Sequence, residues 1–137
     1  MLREQLQQYD FKSLGFQDIT ISGETYRTLH DGFDLPTNIS ASDFILVIWS
    51  YLNSLQEISL EYDTNHPGLL IFDEPRQQSA KDISFEQLLK RAAKGTDAGH
   101  HIIFATSEKE ETLKMMLEGT PHNYRSFNGY IVKIITG

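Results

Sequence analysis

The stretch that decides the fold is Leu69-Leu70-Ile71-Phe72-Asp73-Glu74-Pro75, four apolar residues followed by two carboxylates and a proline. A turn sequence, Asn65-His66-Pro67-Gly68, comes directly before it. The apolar run therefore has the length and the boundaries of a strand. A continuous apolar run is typical of a strand in a parallel sheet that is covered on both faces. The sequence predicts a fully buried parallel strand that ends at Asp73 and Glu74.

Asp73 and Glu74 are placed for chemistry, because ligands of open α/β sheets bind at the carboxyl ends of the strands. Two adjacent carboxylates at such an end can divide the work. One holds Mg²⁺ through its water shell, and the other polarises an attacking water. The alternative is a strand that ends in polar residues at the surface. A buried strand followed by Asp-Glu-Pro favours a nucleotide-hydrolase site.

Helix and strand patterns alternate downstream of this strand. Residues 84–94 carry apolar residues on one face, which predicts an amphipathic helix. His101 to Ala105 is a second apolar strand, and a helix is predicted from about Glu108 to Leu117. The order strand–helix–strand–helix predicts an α/β fold with a parallel central sheet and right-handed crossovers.

A long helix is predicted upstream, from Ser40 to about Tyr62. Its first half, Phe44 to Leu52, is apolar almost all round, so we expect it to be buried on several sides. Residues 30–40 hold Gly, Pro, Asn and Asp and predict a loop. Residues 19–29 read as a β-hairpin that turns at Ser22-Gly23-Glu24.

The two ends of the chain carry their own patterns. Leu2, Leu6 and Tyr9 recur at helical spacing, and we interpret residues 1–14 as the end of a coiled-coil helix. Near the other end, Asn128-Gly129 predicts a hairpin between Tyr124–Phe127 and Tyr130–Ile135. Neither a repeat nor an internal linker divides the sequence, so residues 1–137 are expected to form one domain.

Composition excludes several classes of protein. The 137 residues contain no cysteine, which removes disulfides, thiolate zinc sites and cysteine nucleophiles. The net charge of −7 argues against a free-standing basic nucleic-acid binder. Apolar runs are far shorter than the ~20 residues that span a bilayer, and the N-terminus has no signal-peptide core. We therefore expect a cytoplasmic protein with no membrane contact.

With Asp73-Glu74-Pro75 in place, the chain resembles the ABC-class ATPase heads, especially those of SMC-like and DNA-repair-type families. The strand and its Asp-Glu-Pro ending look like their Walker B motif. The resemblance implies a partial P-loop NTPase fold in which Asp73 binds Mg²⁺ and Glu74 activates the attacking water. Ser79-Ala80-Lys81-Asp82 resembles the following D-loop, which implies roles for Ser79 and Asp82.

Two further segments resemble family motifs. Ile39-Ser40-Ala41-Ser42-Asp43 looks like the signature motif, in which Ser40, Ala41 and Ser42 would bind the γ-phosphate of nucleotide held by an opposite head. The alternative is helix capping by Ser40 and Asp43. Thr106 and Ser107, after the second strand, match the switch segment, where families usually carry histidine at the position of Ser107. The alternative is again a helix N-cap.

No Gly-x-x-x-x-Gly-Lys-Ser/Thr occurs in the chain, so a P-loop that cradles phosphates is missing. The resemblance therefore implies the C-terminal lobe of a head, which needs a Walker A lobe, a homodimer of heads, ATP and Mg²⁺. It also implies DNA as a partner of the full-length protein, in DNA repair or chromosome maintenance. A lone lobe is expected to expose apolar surface where the other lobe docks, and to be inactive by itself.

Two other functions remain open. The chain can be a non-catalytic interaction module derived from such a head, since the P-loop and the switch histidine are missing. It can also be a Mg²⁺-dependent phosphatase-like or nuclease-like hydrolase that uses Asp73, Glu74 and Asp82. Among the basic residues, Lys90, Arg91 and Lys94 are expected on a solvated helix face. Arg76 reaches either a phosphate across a head dimer or a nearby carboxylate.

Overall fold

The computed structural model describes residues 1–35, 39–76 and 81–127, and gives only the backbone of residues 96–98. The chain is a mixed α/β protein. Its helices are α1 (Leu2–Gln8), α2 (Ala41–Glu61), α3 (Asp82–Ala92) and α4 (Glu110–Met116), and its strands are β1 (Ile19–Ile21), β2 (Thr28–His30), β3 (Phe33–Asp34), β4 (Leu69–Asp73) and β5 (His101–Ala105). Short 3₁₀ turns cover Phe16–Asp18 and Ala93–Ala98.

The predicted parallel strand pair is confirmed. β4 and β5 are hydrogen-bonded in parallel register, with Leu69 opposite His101 and Asp73 opposite Ala105. The Pro67-Gly68 turn begins β4, and Gly68 takes a positive φ of 70° that suits glycine. α3 lies between the two strands in sequence, as the alternation of patterns predicts.

The prediction that β4 is fully buried is wrong. Phe72 is buried and stacks on Phe104 with ring centroids 4.9 Å apart, whereas Ile71 is 60% exposed and Ile103 is 50% exposed. Within the described residues this sheet has two strands, and the core lies against one face of it. Alternate side chains of each strand therefore point into the core and out of it.

The core is built around Trp49 of α2. Its ring contacts Tyr9 edge-on at 6.1 Å and Phe85 of α3 at 6.3 Å, and Phe85 in turn meets Phe104 of β5. Leu2, Leu6 and Tyr9, the stripe at the start of the chain, are all buried in this same core. α1, α2, α3 and one face of the β4–β5 sheet thus share one apolar interior.

A hydrogen-bonded polar network joins α1, α2 and α3 beside the core. Arg91 of α3 is 7% exposed and donates from Nε and Nη2 to the two carboxylate oxygens of Glu57 at 2.5 and 2.8 Å. Its Nη1 also donates to Gln8 at 2.8 Å. The expectation of a solvated face is therefore wrong for Arg91. The residue is buried because the carboxylates of Glu57 in α2 and Glu4 in α1 converge on it.

The hairpin near the N-terminus is confirmed, with β1 antiparallel to β2. A third strand, β3, pairs with β2 inside the segment that was expected to be loop. Residues 121–127 form neither helix nor strand, so the strand predicted at Tyr124–Phe127 is wrong. Its partner Tyr130–Ile135 and the Asn128-Gly129 turn lie outside the described residues.

Helix α2 begins where the sequence predicts. Ser40 is the N-cap, and its hydroxyl accepts a hydrogen bond from the Asp43 amide at 3.1 Å. The expected burial on several sides holds for Leu46, Val47 and Trp49 but not for Phe44, which is 47% exposed. Among the described residues, no helix has the length and apolar character needed to span a bilayer.

Candidate functional site

The candidate site lies at the edge where the parallel strands β4 and β5 both end. Because Asp73 pairs with Ala105 in the register, the residues that follow each strand emerge side by side. Asp73 and Glu74 come from β4, and Thr106 and Ser107 come from β5. The structure therefore brings together the carboxylates and the switch segment that the sequence predicts.

Glu74 has an unusual backbone conformation at this edge. Its φ of 43° lies in the left-handed region, which costs a non-glycine residue roughly 1–2 kcal/mol. The Glu74 amide donates to the carbonyl of Ala105 at 2.8 Å, which extends the pairing one residue past the strand. Its carboxylate then accepts a hydrogen bond from the Ser107 hydroxyl at 3.1 Å. The side chain of Glu74 is thus held across the strand ends.

Asp73 is the exposed carboxylate of the pair. Within the described part of the chain its side chain makes neither a hydrogen bond nor an ion pair. An exposed carboxylate with its oxygen atoms uncommitted has the donor chemistry that Mg²⁺ prefers, because this ion binds one or two carboxylates and keeps several waters. Asp73 therefore fits a magnesium ligand, whereas Glu74 is already engaged by Ser107.

Arg76 ties the strand end to two neighbouring segments. Its Nη1 donates to Glu108 Oε2 at 2.6 Å, and its Nη2 pairs with Asp82, the first residue of α3. The guanidinium also lies over the ring of Phe85, 5.7 Å from its centroid. Of the two roles that the sequence left open for Arg76, the structure contains the carboxylate contacts. Asp82, the predicted D-loop residue, is one of those partners, and Ser79 lies outside the described residues.

Thr106 and Ser107 differ in what their hydroxyls do. Thr106 Oγ1 accepts a hydrogen bond from the Glu108 amide at 3.2 Å, a local turn that orients the Glu108 side chain toward Arg76. Ser107 contacts Glu74 instead. Helix α4 begins later, at Glu110, with Lys109 as its N-cap residue and no side-chain cap. The N-cap alternative for Thr106 and Ser107 is therefore wrong.

The predicted signature residues form the N-terminus of α2. Ser40 and Ala41 are exposed, Ser42 is half-buried, and the Ser40 and Ser42 hydroxyl oxygens lie 3.1 Å apart. The capping interaction that the sequence offered as an alternative is present, because Asp43 donates to Ser40. The Asp43 carboxylate itself turns back and accepts from the amides of Lys12 and Ser13 at 3.1 and 2.6 Å.

A small cavity of about 20 Å³ separates Ser42 from Lys81 and Ser84 at the start of α3. Lys81 pairs there with Asp10, and this hydrogen bond raises the pKa of Lys81 and lowers that of Asp10. The predicted signature therefore lies beside the beginning of α3. Within residues 1–35, 39–76 and 81–127, no hydrogen bond or ion pair joins it to Asp73 or Glu74.

One cluster was not found from the sequence. Asp18 precedes β1, His30 ends β2 and Asp31 follows it, so the three lie at the open end of the hairpin, with one ligand atom of each within 4.8 Å of the others. Asp18 and His30 are 12 residues apart in the sequence and come together only because β1 pairs with β2. A local spacing pattern around His30 therefore does not reveal the cluster. Exposed groups of this kind are common without an ion, and we assign this cluster no role.

Two further histidines stack on each other. His100 is half-buried and stacks on His66, with ring centroids 5.8 Å apart and planes 14° apart, whereas His101 is exposed. Burial, with a contribution from His100, lowers the pKa of His66. These rings lie at the opposite end of the strands from Asp73 and Glu74.

Comparison of the chain with protein-family models, with curated proteins and with solved structures gives no match.

Proposed function

We propose that this chain is the C-terminal lobe of an SMC-like ABC-type ATPase head. The observation that carries the proposal is the contact between Glu74 and Ser107 at the ends of two parallel strands. A Walker B glutamate beside a switch residue is the arrangement that the sequence resemblance implies. The parallel pairing of β4 with β5 and the long helix that starts at Ser40 also support a partial P-loop NTPase fold.

In this proposal Asp73 holds Mg²⁺ and Glu74 acts on water. When bound, Mg²⁺ would neutralise negative charge on the phosphates. Glu74 accepts a hydrogen bond from the attacking water and orients it toward the γ-phosphorus, and ADP is the leaving group. The Ser107 hydroxyl holds the Glu74 side chain in place through a hydrogen bond. Unlike a histidine at this position, serine does not change its own charge near neutral pH.

Ser40, Ala41 and Ser42 are proposed to act on nucleotide held by a second head. The N-terminus of the 21-residue helix α2 carries a partial positive charge, and two exposed or half-exposed hydroxyls lie there. Their separation from Asp73 and Glu74 agrees with action in trans. DNA would be a partner of the assembled protein and not of this acidic chain.

The missing Walker A lobe is proposed to cover the open face of the β4–β5 sheet. Leu69, Ile71 and Ile103 lie on this face and are between 42% and 60% exposed. Both strands also have an outer edge without a hydrogen-bonded neighbour among the described residues. Exposed apolar strands with open edges are the surface that a lobe separated from its partner is expected to present.

The test uses this chain combined with a Walker A segment of the kind that the proposal requires. Glu74→Gln keeps the shape of the side chain but removes its charge, so the variant should bind ATP, dimerise and fail to hydrolyse. Glu118→Gln is the matched control, because Glu118 is exposed and distant in sequence from the site. ATP hydrolysis by Glu74→Gln at the rate of the unsubstituted protein would show that Glu74 does not have the proposed role.

The alternative is a non-catalytic interaction module derived from such a head. The observation that favours it is the serine at the switch position, together with the absence of glycine from Ser40-Ala41-Ser42. The same experiment separates the two functions. A module that only binds partners would assemble with the Walker A segment, and Glu74→Gln would leave ATP turnover at the background level of the unsubstituted protein.

A further inference from the structure

Helix α2 carries a second feature, which does not depend on the proposed ATPase function. Five large apolar side chains lie along it and a sixth is its C-cap residue, at intervals of 4, 3, 4, 3 and 4 residues: Phe44, Ile48, Tyr51, Leu55, Ile58 and the C-cap Tyr62. Tyr51 is half-buried, and the other five are between 37% and 66% exposed. We call these six residues the α2 seam.

The outward face of α2 lacks the polar residues that a surface helix normally presents to water. All four exposed positions between residues 43 and 59 hold Phe44, Ile48, Leu55 or Ile58. Polar residues of this helix, including Ser50, Asn53 and Gln56, lie instead on the inward face. This reversal indicates that the outward face is covered when the protein functions.

The spacing of the seam identifies the kind of surface that covers it. Alternating intervals of four and three residues average 3.5 and form the a/d stripe of a coiled coil, whose complement is another α-helix. The seam runs 18 residues, or about 27 Å at 1.5 Å per residue. No helix within the described ranges 1–35, 39–76 and 81–127 packs along the seam.

We propose that a second copy of this chain covers the seam, with the two α2 helices antiparallel about a two-fold axis. Charge complementarity supports this occupant and this direction. Arg27 is exposed, pairs with Asp34 of its own chain at 3.5 Å, and lines a groove with Phe44 and Ile48 at one end of the seam. Glu61 is exposed at the other end. An antiparallel pair brings Arg27 of each copy to Glu61 of the other, and a parallel pair brings the two Glu61 carboxylates together.

The groove beside the seam provides an anchor for the second copy. It has a volume of about 350 Å³ between α2 and the hairpin, and its walls include Tyr26, Leu35, Val47 and Leu52. In the antiparallel arrangement Tyr62 of the second copy lies over this groove. Aromatic residues in such pockets contribute most of the binding energy in many interfaces.

The available area is sufficient for a weak dimer. Six large side chains, each burying up to roughly 150–200 Å² and about half exposed, provide on the order of 500 Å² per copy. Tyr26, 69% exposed at the groove, adds to this. The sum approaches the roughly 600 Å² per partner at the lower end of stable interfaces. The charge of −7 on each copy opposes pairing, so added salt should strengthen the dimer.

The test is sedimentation velocity of the chain and of four variants, with circular dichroism to verify folding. The unsubstituted chain should dimerise with a Kd of about 1–50 μM. Ile48→Glu and Leu55→Glu should weaken the dimer at least tenfold. Ile83→Glu on α3 is the matched control at an exposed site and should leave the dimer unchanged. Ile71→Glu tests the open sheet face as the competing dimer surface, and it should also leave the dimer unchanged if the seam is the interface.

Two outcomes contradict the proposal. The chain could stay monomeric at about 200 μM, or only Ile71→Glu could abolish the dimer, which would place the interface on the open sheet face. The direction of pairing has its own test. Arg27→Glu should weaken the dimer, and the double variant Arg27→Glu with Glu61→Arg should restore it. Failure of the double variant to restore dimerisation would overturn the antiparallel arrangement.

Discussion

The Ser107 hydroxyl donates a hydrogen bond to the Glu74 carboxylate at 3.1 Å, across the ends of the parallel strands β4 and β5. This contact joins the residue proposed to orient water to the residue proposed as the phosphate-sensing switch. Glu74 also adopts a left-handed backbone conformation there. Strained residues that the surrounding structure holds in place are concentrated at functional sites.

Removing the Ser107 hydroxyl should slow ATP hydrolysis by the assembled head. Ser107→Ala leaves Glu74 without its partner, so the carboxylate samples more rotamers, and we expect turnover to fall about tenfold. Steady-state ATP hydrolysis measures the effect, and Ser126→Ala is a control at an exposed serine. Unchanged turnover in Ser107→Ala would show that the contact with Glu74 has no catalytic importance.

Arg76 should matter for stability through its pairing with Glu108 and Asp82. Arg76→Ala removes both ion pairs and the contact with Phe85. Because the charges are partly exposed, we expect a loss of only about 1 kcal/mol in the free energy of unfolding. Urea unfolding measures it, and Arg125→Ala at an exposed arginine is the control. Equal effects of the two substitutions would contradict the role of Arg76.

A much larger effect is expected at Arg91. Arg91→Ala removes the ion pair and two of the three hydrogen bonds that the described residues donate to the half-buried Glu57 carboxylate and leaves only the one from Gln5, which should cost about 3–5 kcal/mol. Lys90→Ala is the control on the neighbouring residue of α3, since its pair with Glu86 is more exposed and is worth about 0.5 kcal/mol. A loss below about 1 kcal/mol for Arg91→Ala would mean that the network contributes little stability.

Stability should fall in mildly acidic solution because of His66. Burial, and secondarily His100, lowers the pKa of His66 below its ordinary 6.5. Nδ1 of His66 also accepts a hydrogen bond from the Gly68 amide at 3.1 Å, which protonation at that nitrogen would break. The unfolded chain therefore binds the proton at higher pH than the folded chain. The free energy of unfolding should decrease as the pH falls through about 6.5 and level off below the folded pKa.

His66→Asn should remove this part of the pH dependence. The measurement is urea unfolding at several values between about pH 7.5 and 5.5. His122→Asn, at an exposed histidine, is the control and should keep the original slope. If His66→Asn and the unsubstituted chain have the same slope, His66 is not responsible.

Much of the fold could be predicted from local signals in the sequence. Pro67-Gly68 and Asp73-Glu74 mark both ends of β4, and Ser40 marks the start of α2. The placement of Glu74 and Ser107 at one edge follows from the same reasoning, because residues after neighbouring parallel strands emerge there. The hydrogen bond between them was not predicted and is a finding of the structure. Long periodic segments and strong boundary residues therefore predicted the central elements.

Other features depend on contacts that local patterns do not contain. Arg91 is buried because Glu57 and Gln8 approach it from other helices. Ile71 is exposed because the described residues cover one face of the sheet, and an apolar run does not reveal how many faces are covered. The two-residue strand β3 exists only through its pairing with β2. In contrast, the sequence itself contains the spacing of the α2 seam. The same apolar residues also fit a helix that is buried on several sides, so the spacing alone does not show that the seam is exposed.

Calorimetric titration of Mg²⁺-ATP into this chain alone, and into the chain combined with a Walker A segment of the kind that the proposal requires, tests the proposed half-head most directly. The proposed half-head predicts no binding to the chain alone. It predicts stoichiometric binding to the combination, with bound ATP retained when Glu74 is replaced by Gln. Stoichiometric binding of ATP by the chain alone would show a complete nucleotide site in these 137 residues and would contradict the account.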